Sequence, residues 1–165
     1  MDSRILILDQ ERIDRKLQRM AFEIWERNNN EKQITLIGIE GAGVSVANNL
    51  AARLRSISPL DVHVLVLSIN KKKPLSQDIT LGESIDGRSV VLVDDVANSG
   101  KTLLYALKPV LNFETKQVII AVLVDRKHKS FPVSPDIVGH SVSTTLQEHI
   151  EVVCSGDLVT GAYLL

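Results

Sequence analysis

Four short runs of Ile, Leu and Val set the terms on which this chain can fold. Ile34–Ile39, Val62–Leu67, Val90–Val93 and Val118–Val124 each have the length of one buried strand. Segments of helical period precede the first and fill two of the three gaps between them. From Glu11 to Asn28 the apolar residues Ile13, Leu17, Met20, Ala21 and Ile24 recur on one face, with Asp9 placed to cap the start and Asn28-Asn29-Asn30 to end it. After a glycine-containing turn, Val44, Ala47, Leu50, Ala51 and Leu54 share a second helical face, and Thr102–Leu111 reads as a third helix. Strand-like pieces near Ile137–Val142 and Ile150–Val153 finish the chain. Continuous apolar strands alternating with amphipathic helices predict an α/β fold, a parallel sheet flanked by helices. Ligands of such sheets gather at the carboxyl ends of the strands. The loops after Ile39, Leu67, Val93 and Val124 are therefore where function is expected.

Composition narrows the class. The 165 residues are 44% hydrophobic and 24% charged, which suits one domain over residues 1–165 and argues against disorder. Nineteen Lys+Arg against twenty Asp+Glu leave a net charge of −1, so indiscriminate nucleic-acid binding is not expected. Cys154 is the only cysteine, which excludes an internal disulfide. The start, MDSRILILDQ, has no long apolar stretch, and no signal peptide is expected. The longest apolar run falls well short of the ~20 residues of a membrane span, so a cytoplasmic location away from membranes is expected. No repeat or low-complexity linker interrupts the chain.

The most informative stretch is Val90-Val91-Leu92-Val93-Asp94-Asp95-Val96-Ala97-Asn98-Ser99-Gly100-Lys101-Thr102-Leu103. A buried strand delivers two adjacent carboxylates, and a small-residue turn then opens a helix. Such a turn offers backbone N–H groups, the Ser99 and Thr102 hydroxyls and the positive end of a helix dipole, the parts of a phosphate cradle. The carboxylates can accept from sugar hydroxyls or hold a hydrated Mg²⁺. A ribose 5-phosphate carries both features. An ordinary capped helix explains the turn but not the acidic pair, because buried carboxylates cost several kcal/mol without a partner. A P-loop shares the ending Gly100-Lys101-Thr102 but needs a glycine where Asp95 stands.

With its acidic pair and turn, this stretch resembles the phosphoribosyl diphosphate (PRPP) motif of type I phosphoribosyltransferases. The wider chain is most similar to the group that joins uracil phosphoribosyl transfer to attenuation of pyrimidine operons. That likeness rests on Ile7-Leu8-Asp9, on Ile13 to Asn28 including Glu26-Arg27-Asn28, and on Ile37-Gly38-Ile39. It continues through Ala121-Val122-Leu123-Val124-Asp125-Arg126-Lys127-His128, then Pro132, Asp136, Gly139 and Thr144. The resemblance implies that Asp94 and Asp95 are the catalytic pair on the ribose hydroxyls, with Mg²⁺ entering with PRPP. Val96, Ala97, Asn98, Ser99, Gly100, Lys101 and Thr102 would bind the 5-phosphate. Ser99 stands for the usual threonine and Lys101 for the common arginine, keeping hydroxyl and charge.

Two stretches depart from the family pattern. Where relatives carry Lys-Thr-Arg-Gly as the diphosphate loop, this chain has Glu40-Gly41-Ala42-Gly43. The glycine survives, but a cation is lost and an acid gained, which weakens neutralisation of a departing diphosphate by several kcal/mol if nothing compensates. Gly41-x-Gly43 is no dinucleotide fingerprint, because Val46 follows and no acid ends the next strand. The second departure is Ser68–Arg88, shorter than its family counterpart and holding Lys71-Lys72-Lys73 instead of a Tyr-Arg-Asp-Asp run. It predicts a reduced hood. Two readings of the lysines stay open, a solvated hairpin tip or cations closing over a diphosphate.

By the same resemblance, Asp125, Arg126 and His128 lie near the nucleobase. The residues do not say which base, and His128 receives no chemical role. Transfer through an oxocarbenium-like state needs no covalent nucleophile, and no His/Cys spacing suggests zinc. On the first helix Arg12, Arg15, Lys16 and Arg19 form a basic stripe, continued by Glu23 and Glu26, which can pair with Arg19. It reads either as a solvated flank or as an RNA-facing surface. By the resemblance Arg19 and Arg27 stand at RNA-contact positions, and Arg15 of the stripe joins them as an RNA candidate, whereas Gln18 and Phe22 replace the family's threonine and histidine.

Two functions follow as expectations. One is an Mg²⁺-dependent phosphoribosyltransferase that moves ribose 5-phosphate from PRPP to a nucleobase, with uracil favoured, and releases diphosphate. The other is a non-catalytic nucleotide-sensing or RNA-binding regulator that keeps only the ribose-phosphate site. The expected partners are PRPP, a nucleobase or nucleoside monophosphate, messenger RNA, and further copies of the chain in a homodimer or higher oligomer.

Overall fold

A computed structural model describes residues 3–165. Along the chain lie β1 (Ile5–Leu8), α1 (Gln10–Arg27), β2 (Gln33–Ile39), α2 (Ala42–Ile57) and β3 (Asp61–Leu67). These are followed by β4 (Ser89–Ala97), α3 (Lys101–Val110), β5 (Gln117–Asp125), β6 (Ile137–Ser141), β7 (Ile150–Ser155) and β8 (Leu158–Leu164). The central sheet has the order β3-β2-β4-β5-β6, and every pairing in it is parallel. This is the expected architecture.

The side-chain alternation of the strands sends apolar residues to both faces. Leu36, Val91, Val93 and Leu123 join Ile13, Leu17 and Met20 of α1 and Val46, Leu50 and Leu54 of α2 in one core. Ile37, Leu92 and Val122 point the other way, onto Leu103, Ala106 and Val110 of α3 and onto Ile85. Each fully buried Leu or Ile of this kind contributes about 1.5–3 kcal/mol by leaving water. Asp9 caps α1 as expected, its Oδ1 accepting from Arg12 N–H at 2.8 Å.

Three features differ from the expectation. The first is the end of β4. The strand was expected to stop at Val93, but it runs on to Ala97 because β5 also runs on, with Asp94 opposite Val122 and Ala97 opposite Asp125. The acidic pair therefore lies inside a paired strand rather than in the loop after it. The second is a three-stranded antiparallel sheet, β1-β8-β7, that joins both ends of the chain. Of its strands only part of β7 had a signal. β1 is four residues long, the sequence of β8 has Gly161 at its centre and no clear alternation, and their pairing depends on chain ends distant in sequence. This sheet is held against α2, where Ser45 Oγ donates to Gly156 O at 2.9 Å and Asn48 Nδ2 to Asp157 Oδ1 at 3.1 Å.

The third is the form of Ser68–Arg88, which is irregular apart from one 3₁₀ turn at Pro74–Ser76. Ile85 is buried, and Ile69, Ile79 and Leu81 pack against the α3 side of the core. Among the described residues, no helix is long and apolar enough to cross a membrane.

Candidate active site

Asp94 is enclosed in the sheet and only 1% exposed, an unusual position for a carboxylate. Its Oδ1 accepts the Asp95 N–H at 2.8 Å. Burial, and after it the charge of Asp95, hold the Asp94 carboxyl well above the usual range, while Lys71 pulls in the opposite direction. Lys71 Nζ stands 3.4 Å from Asp94 Oδ1 and 3.8 Å from Asp95 Oδ1. Lys71 reaches the acidic pair, and Lys72 and Lys73 face solvent.

The turn that follows is shaped by Gly100, at φ +87°. Only glycine takes this left-handed conformation without cost. A side chain there would also meet Phe131 O at 3.1 Å and Val133 O at 3.2 Å. Behind the turn, Ser99 O accepts from Ser130 N–H at 2.9 Å and Phe131 N–H at 3.0 Å. The first amides of α3 lack intrahelical acceptors and open onto a cavity lined by Lys71, Asp94 and the run Val96–Leu103. Backbone amides, two hydroxyl-bearing residues and a helix N-terminus come together there, a setting for a phosphate group.

The loop Glu40–Gly43 arrives from the neighbouring strand. Gly41, at φ +96°, starts α2 without a side-chain cap. Gly43 passes so close to the acidic pair that a Cβ would lie 2.9 Å from Asp94 Oδ1 and 3.3 Å from Asp94 Cα. Ala42 is partly buried and Glu40 exposed, so the loop offers amides and no cation.

The three base-proximal candidates are brought together but are already engaged. Arg126 hydrogen-bonds Thr144 Oγ1 and donates to Thr145 O at 2.6 Å, and His128 donates to Thr144 O. Asp125 is buried at the end of β5 and pairs with Lys129. Lys129 also donates to Asn98 O at 3.2 Å, tying this loop to the phosphate turn. Sequence reasoning missed Lys129, which has no motif or periodicity to mark it. Between them Lys127 adopts φ +60°, and its N–H donates to Asp125 Oδ1 at 3.2 Å. Strain of this kind persists only where neighbours impose it.

On α1, Arg12, Arg15, Lys16 and Arg19 line one shallow depression. Most of these charges have partners. Arg12 donates to Ile7 O at 3.0 Å, and Arg15 pairs with Glu11. Arg19 donates to Val138 O at 3.0 Å and Gly139 O at 2.7 Å, and it pairs with Glu23 rather than Glu26. Arg27 lies in the last turn of α1, outside the depression. His140 is held below its usual pKa by burial and then by Lys16 and Arg12.

Among the described residues no three His, Cys, Asp or Glu side chains form a metal cage. Asp94 and Asp95 offer two hard oxygen donors, which fit a Mg²⁺ that keeps waters and substrate oxygens as its other ligands.

Known proteins resemble this chain over most of its length. The model of the phosphoribosyl transferase domain matches residues 6–155. Bifunctional protein PyrR of Halalkalibacterium halodurans is 34% identical over 157 residues, covering 88% of this chain and 87% of its own. The protein of the same name from Pelotomaculum thermopropionicum is 36% identical over 156 residues, 88% and 86% of the two chains. Among solved structures, the hypoxanthine phosphoribosyltransferase of Trypanosoma cruzi superposes with TM-score 0.74 at 18% identity, over 84% of this chain and 81% of its own. A hypoxanthine-guanine phosphoribosyltransferase from Bacillus anthracis gives 0.73 at 20% identity, over 97% and 99%. At those identities the likeness is one of fold.

Proposed function

The chain belongs to the phosphoribosyl transferase domain family, and from that premise we propose that it moves ribose 5-phosphate from PRPP to a nucleobase, uracil by preference, with release of diphosphate. The observation that carries this reading is the buried Asp94 opening on the same cavity as the Val96–Leu103 turn. A carboxylate held in so costly a place calls for a ligand that repays it.

In the proposed reaction the amides and hydroxyls of Ala97–Thr102 hold the 5-phosphate, and Asp94 and Asp95 accept hydrogen bonds from the ribose hydroxyls. Those carboxylates also favour the positive charge that develops on the ribose as the bond from C1 to diphosphate oxygen breaks. A ring nitrogen of the base forms the new bond to C1 and gives up its proton to solvent. Catalysis is then positioning plus electrostatics, with no covalent nucleophile. Mg²⁺ bound with PRPP would neutralise the leaving diphosphate. The loop Glu40–Gly43 contributes amides there, and the Asp125–Lys129 segment walls the base.

One observation favours a second reading, a nucleotide sensor without turnover: the loop beside the diphosphate carries Glu40 and no cation. Calorimetric titration with UMP, GMP and PRPP plus Mg²⁺, beside a uracil transfer assay, separates the two. UMP synthesis that disappears in the Asp94→Asn/Asp95→Asn double variant supports the enzyme. Tight monophosphate binding without turnover supports the sensor. Binding of neither monophosphate nor PRPP refutes both. For messenger RNA, we place the contact on the depression lined by Arg12, Arg15, Lys16 and Arg19. A gel shift that Arg15→Glu leaves unchanged overturns that placement.

A further inference from the structure

Lys71 has no part in the mechanism above, yet three elements converge on it. β3, β2 and β4 are successive neighbours in the sheet, so the chain leaves all three at one end. Ile39 lies opposite Leu67, and Glu40 N–H donates to Leu67 O at 2.9 Å, so the loop after β2 and the segment after β3 set out side by side. They meet again at Asp94 Oδ1. Gly43 abuts that oxygen on one side, and Lys71 Nζ stands 3.4 Å from it. The same lysine walls the cavity that the Val96–Leu103 turn opens on.

The backbone beneath Lys71 is fixed. Asn70 Oδ1 accepts from Lys72 N–H at 3.1 Å and Lys73 N–H at 3.0 Å. Ser76 Oγ donates to Lys73 O at 2.7 Å, and Pro74 is buried. The turn thus aims one ammonium at the acidic pair and leaves its two neighbours in solvent. Among the described residues Lys71 is the one basic side chain paired with either carboxylate. With its side chain 44% exposed, it is not locked in place.

Resting on the phosphoribosyl reading, the geometry points to Lys71 as the group that recognises the diphosphate of PRPP, standing in for the cation that the Glu40–Gly43 loop lacks. Its ammonium rests on Asp94 and Asp95 in the structure. When ribose hydroxyls take over the carboxylates, the ammonium is released toward the adjacent loop, where the diphosphate lies. A lysine suits this exchange, being a point charge on a flexible stem rather than a rigid fork. A nucleoside monophosphate displaces Lys71 equally but offers it no second anion, so the two ligand classes feel the lysine differently.

The test is calorimetric titration of the wild type, Lys71→Met, Lys71→Arg and Lys72→Met with inorganic diphosphate, PRPP and UMP in Mg²⁺. Losing one charge-assisted contact should weaken PRPP by about 10-fold or more in Lys71→Met, and diphosphate by less, since it brings no ribose hydroxyls to free the ammonium. UMP affinity should be retained or should tighten, because nothing then competes for the carboxylates. Lys71→Arg should recover much of the PRPP affinity, and Lys72→Met should match the wild type. A Lys71→Met protein that binds diphosphate and PRPP as the wild type does, or loses UMP by the same factor as PRPP, overturns the inference. A wild type that binds neither UMP nor PRPP overturns the phosphoribosyl reading and this inference with it.

Discussion

Replacing Gly43 by alanine tests the contact between the loop after β2 and the acidic pair. In an ordinary helix the change is favourable by about 1 kcal/mol, since glycine there costs conformational entropy. Here the added methyl would lie 2.9 Å from Asp94 Oδ1, 3.3 Å from Asp94 Cα and 3.3 Å from Val93 O. The two 3.3 Å neighbours are backbone atoms of β4, a strand paired on both sides. Asp94 Oδ1 is held by the Asp95 N–H and has no solvent to swing into. Overpacking of this kind costs about 1–3 kcal/mol, so the sum is a net loss of up to about 2 kcal/mol in place of the usual gain. On the proposed function, a carboxylate pushed off its position also loses its bond to a ribose hydroxyl, about 1.5–3 kcal/mol, or roughly 10- to 150-fold in affinity. Urea unfolding reads the first quantity and calorimetry with UMP the second. Gly82→Ala, with nothing within 4 Å of its added methyl, is the control and should be neutral or slightly stabilising. Gly43→Ala protein with raised stability and unchanged UMP affinity would refute the reasoning.

Asp94→Asn should abolish UMP binding while raising stability at neutral pH by about 0.5–2 kcal/mol, as relief of a functionally strained site commonly does. The sign follows from the raised carboxyl pKa: as pH climbs above the unfolded value of about 3.9, the folded chain holds more protons than the unfolded one, so ionisation erodes stability. Unfolding free energy measured between pH 4 and 8 should therefore fall less steeply in the variant, and identical profiles would count against it. Arg19→Ala removes donors to Val138 O and Gly139 O and should cost about 1–2 kcal/mol after allowance for its partial exposure. Arg15→Ala, whose partner is only the exposed Glu11, should change the thermal midpoint little. Equal midpoint shifts in these two variants would show that Arg19 does not anchor β6.

The sequence by itself determined the central layers, because strand length and helical period are local properties written into each segment. Ile13, Leu17 and Met20 already state which helix face is buried, and Leu36 beside Ile37 that the sheet is buried on both faces. It also raised Asp94 to Thr102 as the candidate place for a ribose 5-phosphate, since the residue types and their order suit that chemistry without reference to distant partners. What it left open was whatever depends on two remote segments meeting. The β1-β8-β7 sheet forms only when the chain ends come together, and neither end strand has enough alternation to announce itself. The burial of Asp94 follows from how far β5 continues beside β4, a matter of register between strands. The Glu40–Gly43 loop looked like a bare loss of charge, and the Lys71–Lys73 run had no address. Tertiary structure settled where that run lies, because the β3-β2-β4 order delivers both loops to one end of the sheet. It brings a single ammonium to within 3.4 Å of the buried carboxylate.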